Sequence, residues 1–532
     1  MQKFLKVFGI ALVIGMVCVS VLGSVAGAEK VLRISDSSDP QTADCQMTTD
    51  FYTIPLNIFD RLVEAVTVSP GQSELVPGLA ESWDISEDGK VYTFHLRKGV
   101  LFHNGEELTA EDVVYTFDRM LNPATKALNT DILDFVVGAQ ERLDGKADST
   151  SGLQALDDYT VQITLREPYA PFIAIMASPQ ASIFNKTFTE AVGDQFGLSP
   201  ETTCGTGPFM LKEYVLNDYQ TLAANEKYYR GRPKLDKVII RVVADAETMR
   251  LLFESDELDL FDCDYAISQL PYFFESEKWK DQIRSGPRVG VYYYNMNQRI
   301  KPFDDVRVRK AFQMAIDRQK ILDSRFYGKG ALENGVMPRG LLCYNPQQEP
   351  IEYNPQKAKA LLTEAGYPDG VDMTISQVST WSSKWVDINE IVQSMAKEAG
   401  FNITIQQMDE SAYYATRRTG DVPSYVQVWS ADFNDPDNFF YTFFAERGTV
   451  TRSFNNMNPE MFAALDRARA ITDPTERCEL YKELERVIVH EDAAWAPLFS
   501  VDHVYVVQPR VKNFVVPWNG WSSMSYYEME VE

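Results

Sequence analysis

Alternation of apolar and polar residues marks strands in the first half of the chain. Val91-Tyr92-Thr93-Phe94-His95-Leu96 repeats with a period of two, and Asp88-Gly89 links it back to Trp83-Asp84-Ile85, which predicts a β-hairpin. The run 159–165 alternates in the same way and suits a half-buried strand. A period near 3.6 begins after Thr109, where Val113, Phe117 and Met120 share one face of a helix over 110–121. Asp112 stands at the capping-box position of that helix, and Asn122-Pro123 stops it.

The second half changes rhythm. Asp305 caps a predicted helix over 306–317 that turns Ala311, Phe312, Ala315 and Ile316 inward. Asn354-Pro355 opens another, which Ala365-Gly366 closes, following the preference for proline at the first helical position and glycine past the end. Further helices are expected over 383–399, ended by Gly400, and from Asp473-Pro474 to about residue 489. Strands are expected over 401–405 and 425–428, and loops over 144–152 and 340–350. Strands alternating with helices imply an α/β lobe with a largely open sheet. A chain of 532 residues exceeds what one core organises, so two or three packed units are expected.

Composition narrows the partners. Hydrophobic residues make up 45% and aromatics 12%, enough for real cores. Acids outnumber bases by 76 to 51, for a net charge of −25. Such a polyanion repels nucleic-acid phosphates and anionic membrane surfaces, but accepts cationic or zwitterionic ligands. Lys3 and Lys6, the uncharged stretch 7–22 and Ser24-Val25-Ala26-Gly27-Ala28 together read as a secretion signal over 1–28, cleaved before Glu29. An uncleaved anchor helix is the rival reading of the same run. The small-residue site and the lack of a basic stop-transfer cluster favour cleavage. Removal takes the charge from −25 to −27, because Lys3 and Lys6 are the segment's charged residues. Cys18 follows Gly15-Met16-Val17, which is not a lipoprotein box, so a periplasm is the expected home.

Cys45, Cys204, Cys263, Cys343 and Cys478 remain in the mature chain. Export permits disulfides, an odd count leaves at least one thiol unpaired, and the absence of C-x-x-C argues against zinc or redox chemistry. His95, His103, His490 and His503 are not in metal-ligand spacing, and no nucleophile-elbow, P-loop or dinucleotide fingerprint occurs, so neither cofactor nor metal nor catalysis is expected. Gly205-Thr206-Gly207-Pro208-Phe209 looks glycine-rich, but Pro208 lacks the backbone donor that a phosphate cradle needs, and a tight turn between strands is the preferred reading.

A series of short motifs resembles the family 5 extracellular solute-binding proteins, the dipeptide and oligopeptide receptors of ABC importers. Leu79-Ala80-Glu81-Ser82-Trp83, Tyr92 to Val100, Phe102-His103-Asn104-Gly105-Glu106 and Leu108 to Val113 resemble the family's signature block. Gly205 to Phe209, Asn225-Glu226 with Tyr228 to Pro233, Pro302 to Arg309, and Tyr353-Asn354-Pro355 follow in family order. The resemblance implies an α/β, two-lobed periplasmic binding protein fold of the class II-like, cluster C type. Residues 29–68, 190–289 and 500–532 would form the first lobe, 69–189 a subdomain inserted in it, and 290–499 the second lobe, with two hinge strands between them. It also implies a monomer that closes on a small ligand, most simply a di- or oligopeptide, and delivers it to the importer's permease. Relatives binding nickel chelates, haem, opines or oligosaccharides are the rival cargoes, and a secreted hydrolase is the remote alternative.

The same resemblance implies a site. Trp429-Ser430-Ala431-Asp432 follows the strand 425–428, at the carboxyl end where open α/β sheets collect ligands, and the family's acid at the position of Asp432 grips a peptide α-ammonium. An N-cap or Asx-turn is the plainer role for this aspartate. Trp429 either walls the pocket or packs in the core. Thr48, Thr49 and Asp50 lie where the family's first-lobe loop meets ligand, and Trp381 and Trp385 are cleft or packing residues. Tyr292 and Tyr294 share a face of a hinge strand, with cleft exposure and burial both open. Dipeptide receptors place an arginine near 380–383 to hold the peptide carboxylate; here Lys384 is the nearest cation, and lysine cannot form a bidentate fork.

Overall fold

The computed structural model describes residues 29–49, 52–380, 383–519 and 524–532, with the backbone alone at 383–385. The expected leader, Asp50 and Trp381 lie outside the described residues, as does the side chain of Trp385. The expected hairpin is formed by Ala80–Ile85 and Val91–Leu96, with Gly89 at φ +69° in the turn. Two further strands, Thr160–Thr164 and Leu153–Asp157, complete a four-stranded antiparallel sheet. The strand Leu153–Asp157 goes beyond the sequence expectations, because its pattern exposes four of five residues and carries little periodic signal. On the sheet's solvent side His95 pairs with Asp84 at 2.8 Å. On its other side the helix Ala110–Leu121 buries Val113, Phe117 and Met120 against Phe94, Val161 and Ile163. Its capping box is present: the Thr109 N–H donates to Asp112 at 2.9 Å.

A second sheet runs in the order Val31–Asp36, Lys237–Val242, Tyr219–Ala224, Phe209–Val215, its first pair parallel and the rest antiparallel. Leu32, Phe209, Leu222, Val238 and Tyr526 form the core beneath it. Beside it Phe499–Val507 lies between Leu260–Asp262 and Ile283–Pro287. From Ile283–Pro287 the chain passes into Gly290–Met296, the centre of a sheet with Ser424–Ser430 and Trp495–Pro497; it returns at Leu498 into Phe499–Val507. Two crossings beside each other make a hinge between two lobes. In the second lobe Val371–Val378 and Phe401–Met408 pair in parallel, packed with the helices Val306–Met314, Pro355–Glu364 and Ser383–Ala396.

Gly290–Met296 is buried at every position because it has a core on each face. Val291 and Tyr293 point into one with Phe443 and Trp495, while Tyr292, Tyr294 and Met296 point into the other with Phe312 and Phe326. Tyr294 is therefore a core residue: its hydroxyl donates to Asn389 Oδ1 at 2.7 Å, and the expectation that it lines a cleft is corrected. The strand Ser424–Ser430 runs antiparallel to Gly290–Met296, as does Trp495–Pro497 on its other side.

The glycine motif proves to be a place of close backbone approach rather than a turn between strands. Gly207 N–H donates to the Ile58 carbonyl at 3.0 Å, and a Cβ at Gly205 would stand 1.9 Å from that same oxygen. Neither chain segment has room to give, because His103 N–H is bonded to the Gly205 carbonyl at 2.8 Å. Gly205→Ala is expected to lower stability by about 3 kcal/mol, read from the urea midpoint. A variant as stable as the parent would show slack at this crossing. Cys343 and Cys478 form a disulfide, while Cys45, Cys204 and Cys263 are free and buried.

Candidate functional site

A cavity of about 520 Å³ opens where the second lobe faces the first. The first lobe contributes Asp60, Arg61, Glu64, Tyr228 and Arg230 to its wall, the C-terminal segment Trp518, Asn519 and Met524, and the second lobe Asp432, Phe433 and Asn434. Hydrogen bonds close the gap around it. Asn519 Nδ2 donates to the Ala431 carbonyl at 3.1 Å, and Asn434 Nδ2 donates to Ser73 Oγ at 3.0 Å. Farther along the lobe boundary, Asp437 accepts Tyr169 Oη at 3.0 Å while Arg469 grips both its oxygens at 2.6 and 2.9 Å.

Most charges on the wall are already satisfied. Glu64 pairs with Arg61, and Asp60 accepts the hydroxyls of Thr206 at 2.9 Å and Tyr228 at 3.0 Å. Burial pushes the Asp60 carboxyl up to about 6, with Glu64 adding to the effect and Arg61 opposing it. Asp432 is different. It follows the end of Ser424–Ser430, where the backbone turns from strand towards the helix Asp437–Phe444, and its side chain is exposed to the cavity. No described lysine, arginine or histidine makes an ion pair with it. Among the described residues its side-chain hydrogen-bond partner is neutral: Asn438 Nδ2 donates to Oδ2 at 2.9 Å. The surrounding walls nevertheless displace bulk water, and this burial raises the carboxyl above the ordinary aspartate range. The Asn438 bond opposes the rise, Asp131 adds to it, and Arg452 opposes it.

Asn438 also orients the neighbouring aromatic. Its Oδ1 accepts Trp429 Nε1 at 3.0 Å and the Asp432 N–H at 3.1 Å. The half-buried Trp429 thus packs edge-on against Phe443, with ring centroids 5.3 Å apart, and stands beside the unpaired carboxylate. Trp429 packs against the second-lobe core and is not among the residues that line the cavity. In the first lobe Thr48 is half-buried and Thr49 exposed, and neither is among the residues that line the cavity. The Thr48 carbonyl accepts Tyr52 Oη at 3.0 Å and Asn129 Nδ2 at 2.7 Å. The Tyr52 hydroxyl is held protonated first by burial, then by Cys45 and by the charge of Asp432, which places the Thr48 turn within electrostatic reach of Asp432.

The residue pattern does not single out Asn438 or the pair beneath the loop. Asp435, three residues past Asp432, is buried and forked onto Arg477 through two bonds of 2.6 Å. Asn434 Oδ1 accepts the Leu342 N–H at 2.8 Å, beside the disulfide of Cys343. The dense run of polar residues 432–438 is a signal for a structured turn, but its partners lie far away in sequence.

The family model for bacterial extracellular solute-binding proteins, family 5 middle, matches residues 74–450. The chain belongs to this family. The solute-binding protein is 31% identical to the dipeptide-binding protein of Escherichia coli over 94% of this chain and 95% of that one. It is 30% identical to haem-binding protein A of Haemophilus influenzae over 91% of this chain and 88% of its relative. Among solved structures it resembles the ABC transporter-associated periplasmic binding protein DppA of Helicobacter pylori in complex with the peptide STSA. That likeness has a TM-score of 0.77 and 27% identity, covering 94% of this chain and 98% of the other. The two-lobed fold expected for the solute-binding protein is thereby established, and its cavity lies where the lobes meet.

Proposed function

We propose that the protein captures a short peptide by its free α-ammonium at Asp432 and encloses it by hinged closure of two lobes. The observation that carries this reading is an ionisable carboxylate on the cavity wall that forms no ion pair with any described residue. A carboxylate that closure of the lobes would cut off from water needs a counter-charge, so a ligand that brings a positive charge completes the site. In this reading residues 29–68, 190–289 and 500–532 form the first lobe, with 69–189 inserted, and 290–499 the second. Ligand contacts on both walls exist together only in the closed form, so binding shifts the population towards it. The protein acts as a monomer in the periplasm after loss of residues 1–28, hands its cargo to the permease of an ABC importer, and leaves the cargo chemically unchanged.

Titration calorimetry with di-, tri- and tetrapeptides, each free or N-acetylated, tests the proposal. Free peptides are expected to bind one to one, to lose affinity on acetylation, and to be recovered intact by chromatography. Equal binding of the acetylated forms, tight binding of haemin with none of peptide, or consumption of the peptide would each sink it.

A further inference from the structure

Two bodies with separate cores meet along the lobe boundary beyond the cavity. Tyr169 belongs to the core of the four-stranded antiparallel sheet and Phe135 packs against it, their rings stacked with centroids 3.9 Å apart. Asp437, which opens the helix Asp437–Phe444, and Arg469, in the helix Pro459–Ala470, belong to the second lobe. The Arg469 guanidinium lies 4.8 Å from the Phe135 ring centroid and 5.0 Å from that of Tyr169, with Tyr441 of its own lobe against it as well. Ala170 N–H donates to the Arg469 carbonyl at 2.8 Å, beside the bond of 3.0 Å from Tyr169 Oη to Asp437. None of these residues lines the cavity.

Each side is complete without the other. Asp437 keeps both bonds to Arg469 when the facing body withdraws, because the two share a lobe. Parting the lobes therefore strands no charge. It gives up one hydroxyl bond to a carboxylate, one main-chain bond and two ring faces over the guanidinium, while water returns to the ion pair. A contact so balanced is reversible. It is also joined to the cavity wall, since Asp437 follows Asp432 on the same turn and Phe433, next to Asp432, packs on the core that holds Tyr169. We propose that Tyr169 and Phe135 form a latch that Asp437 and Arg469 enter as the lobes close, so that a contact outside the cavity sets how tightly a ligand is held. This rests on the hinged closure given above, not on the identity of the ligand. Apparent affinity scales with the share of molecules in the binding-competent form, and loss of one hydrogen bond to a charged acceptor shifts that share about 10-fold.

Spin labels introduced through Leu156→Cys and Met457→Cys, both at exposed positions, report the distance between the two bodies by pulsed electron paramagnetic resonance; Cys45, Cys204 and Cys263 are buried and do not compete for label. Distances are recorded without ligand and along a titration with tri-alanine in the parent, Tyr169→Phe, Phe135→Leu and Arg469→Lys. The parent is expected to show a short distance whose share grows with peptide. Tyr169→Phe and Phe135→Leu are expected to need about 10-fold more peptide for the same share. Arg469→Lys, which keeps the charge but loses the planar stack, is expected to lie between them and the parent. Equal titration curves for the parent and both ring variants overturn the latch and leave closure standing. So does a lowered urea midpoint with unchanged distances, because the rings then serve only as packing. If one ring variant does not fold, the other decides. A single distance in the parent at every peptide concentration overturns hinged closure and the latch together.

Discussion

Asp432→Asn is expected to weaken binding of a peptide with a free ammonium by about 2–5 kcal/mol, the cost of removing one partner from a desolvated charge pair. That is about 30-fold to several thousand-fold in Kd. The substitution preserves shape and leaves an oxygen to accept from Asn438, so the loop is expected to keep its conformation and the loss to reflect charge. Acidification should mimic the mutation. In the empty protein burial holds this carboxyl above the usual aspartate range, so it takes up a proton at a higher pH than an exposed aspartate, near 3.9, would. Only the ionised form pairs with an ammonium. Wild-type affinity is therefore full above that raised pKa and lost as pH falls through it, while the Asp432→Asn variant shows no such step. Calorimetry across the acid range distinguishes the two, and parallel pH profiles would refute the assignment.

The largest loss of stability is expected at Arg477→Met. Arg477 and Asp435 are both nearly inaccessible to solvent, and Arg477 also donates to the Ala468 carbonyl at 3.0 Å. Burial is the chief influence raising the Asp435 carboxyl, and Arg477 is what opposes that rise. Removing the arginine strands a buried carboxylate, which costs about 3–5 kcal/mol. The double variant Asp435→Leu with Arg477→Met removes both charges and is expected to recover much of that loss, since a matched apolar pair is often neutral. Urea unfolding of the parent, both singles and the double forms a closed cycle. A single variant as stable as the parent would mean that the pair contributes nothing.

Local signals in the sequence locate the helices that have a cap and a repeating apolar face. The helix after Thr109 matches its expected limits because the capping box and Asn122-Pro123 act within a few residues of it. The helix from Asp473-Pro474 begins where expected but passes into a π-helical turn over Val487–Glu491, where packing rather than local pattern sets the geometry. Tyr294 shows the limit of periodicity: a strand with a core on each face gives no alternation from which to assign an open side. Asp432 is legible because the motif around it is contiguous. Asn438 and Arg477 are not, since each matters through a partner 6 to 42 residues away and a wall that forms only on folding.

Adjacent residues of the cavity loop are anchored by adjacent residues elsewhere. Asn434 is bonded to Leu342, and Asp435 to Arg477; Leu342 precedes Cys343, Arg477 precedes Cys478, and the two cysteines are joined. The two anchors of the loop are thus tied to each other through the disulfide. That tie depends on thiol chemistry as well as on folding, so the oxidising power of the surroundings bears on how firmly the loop is held.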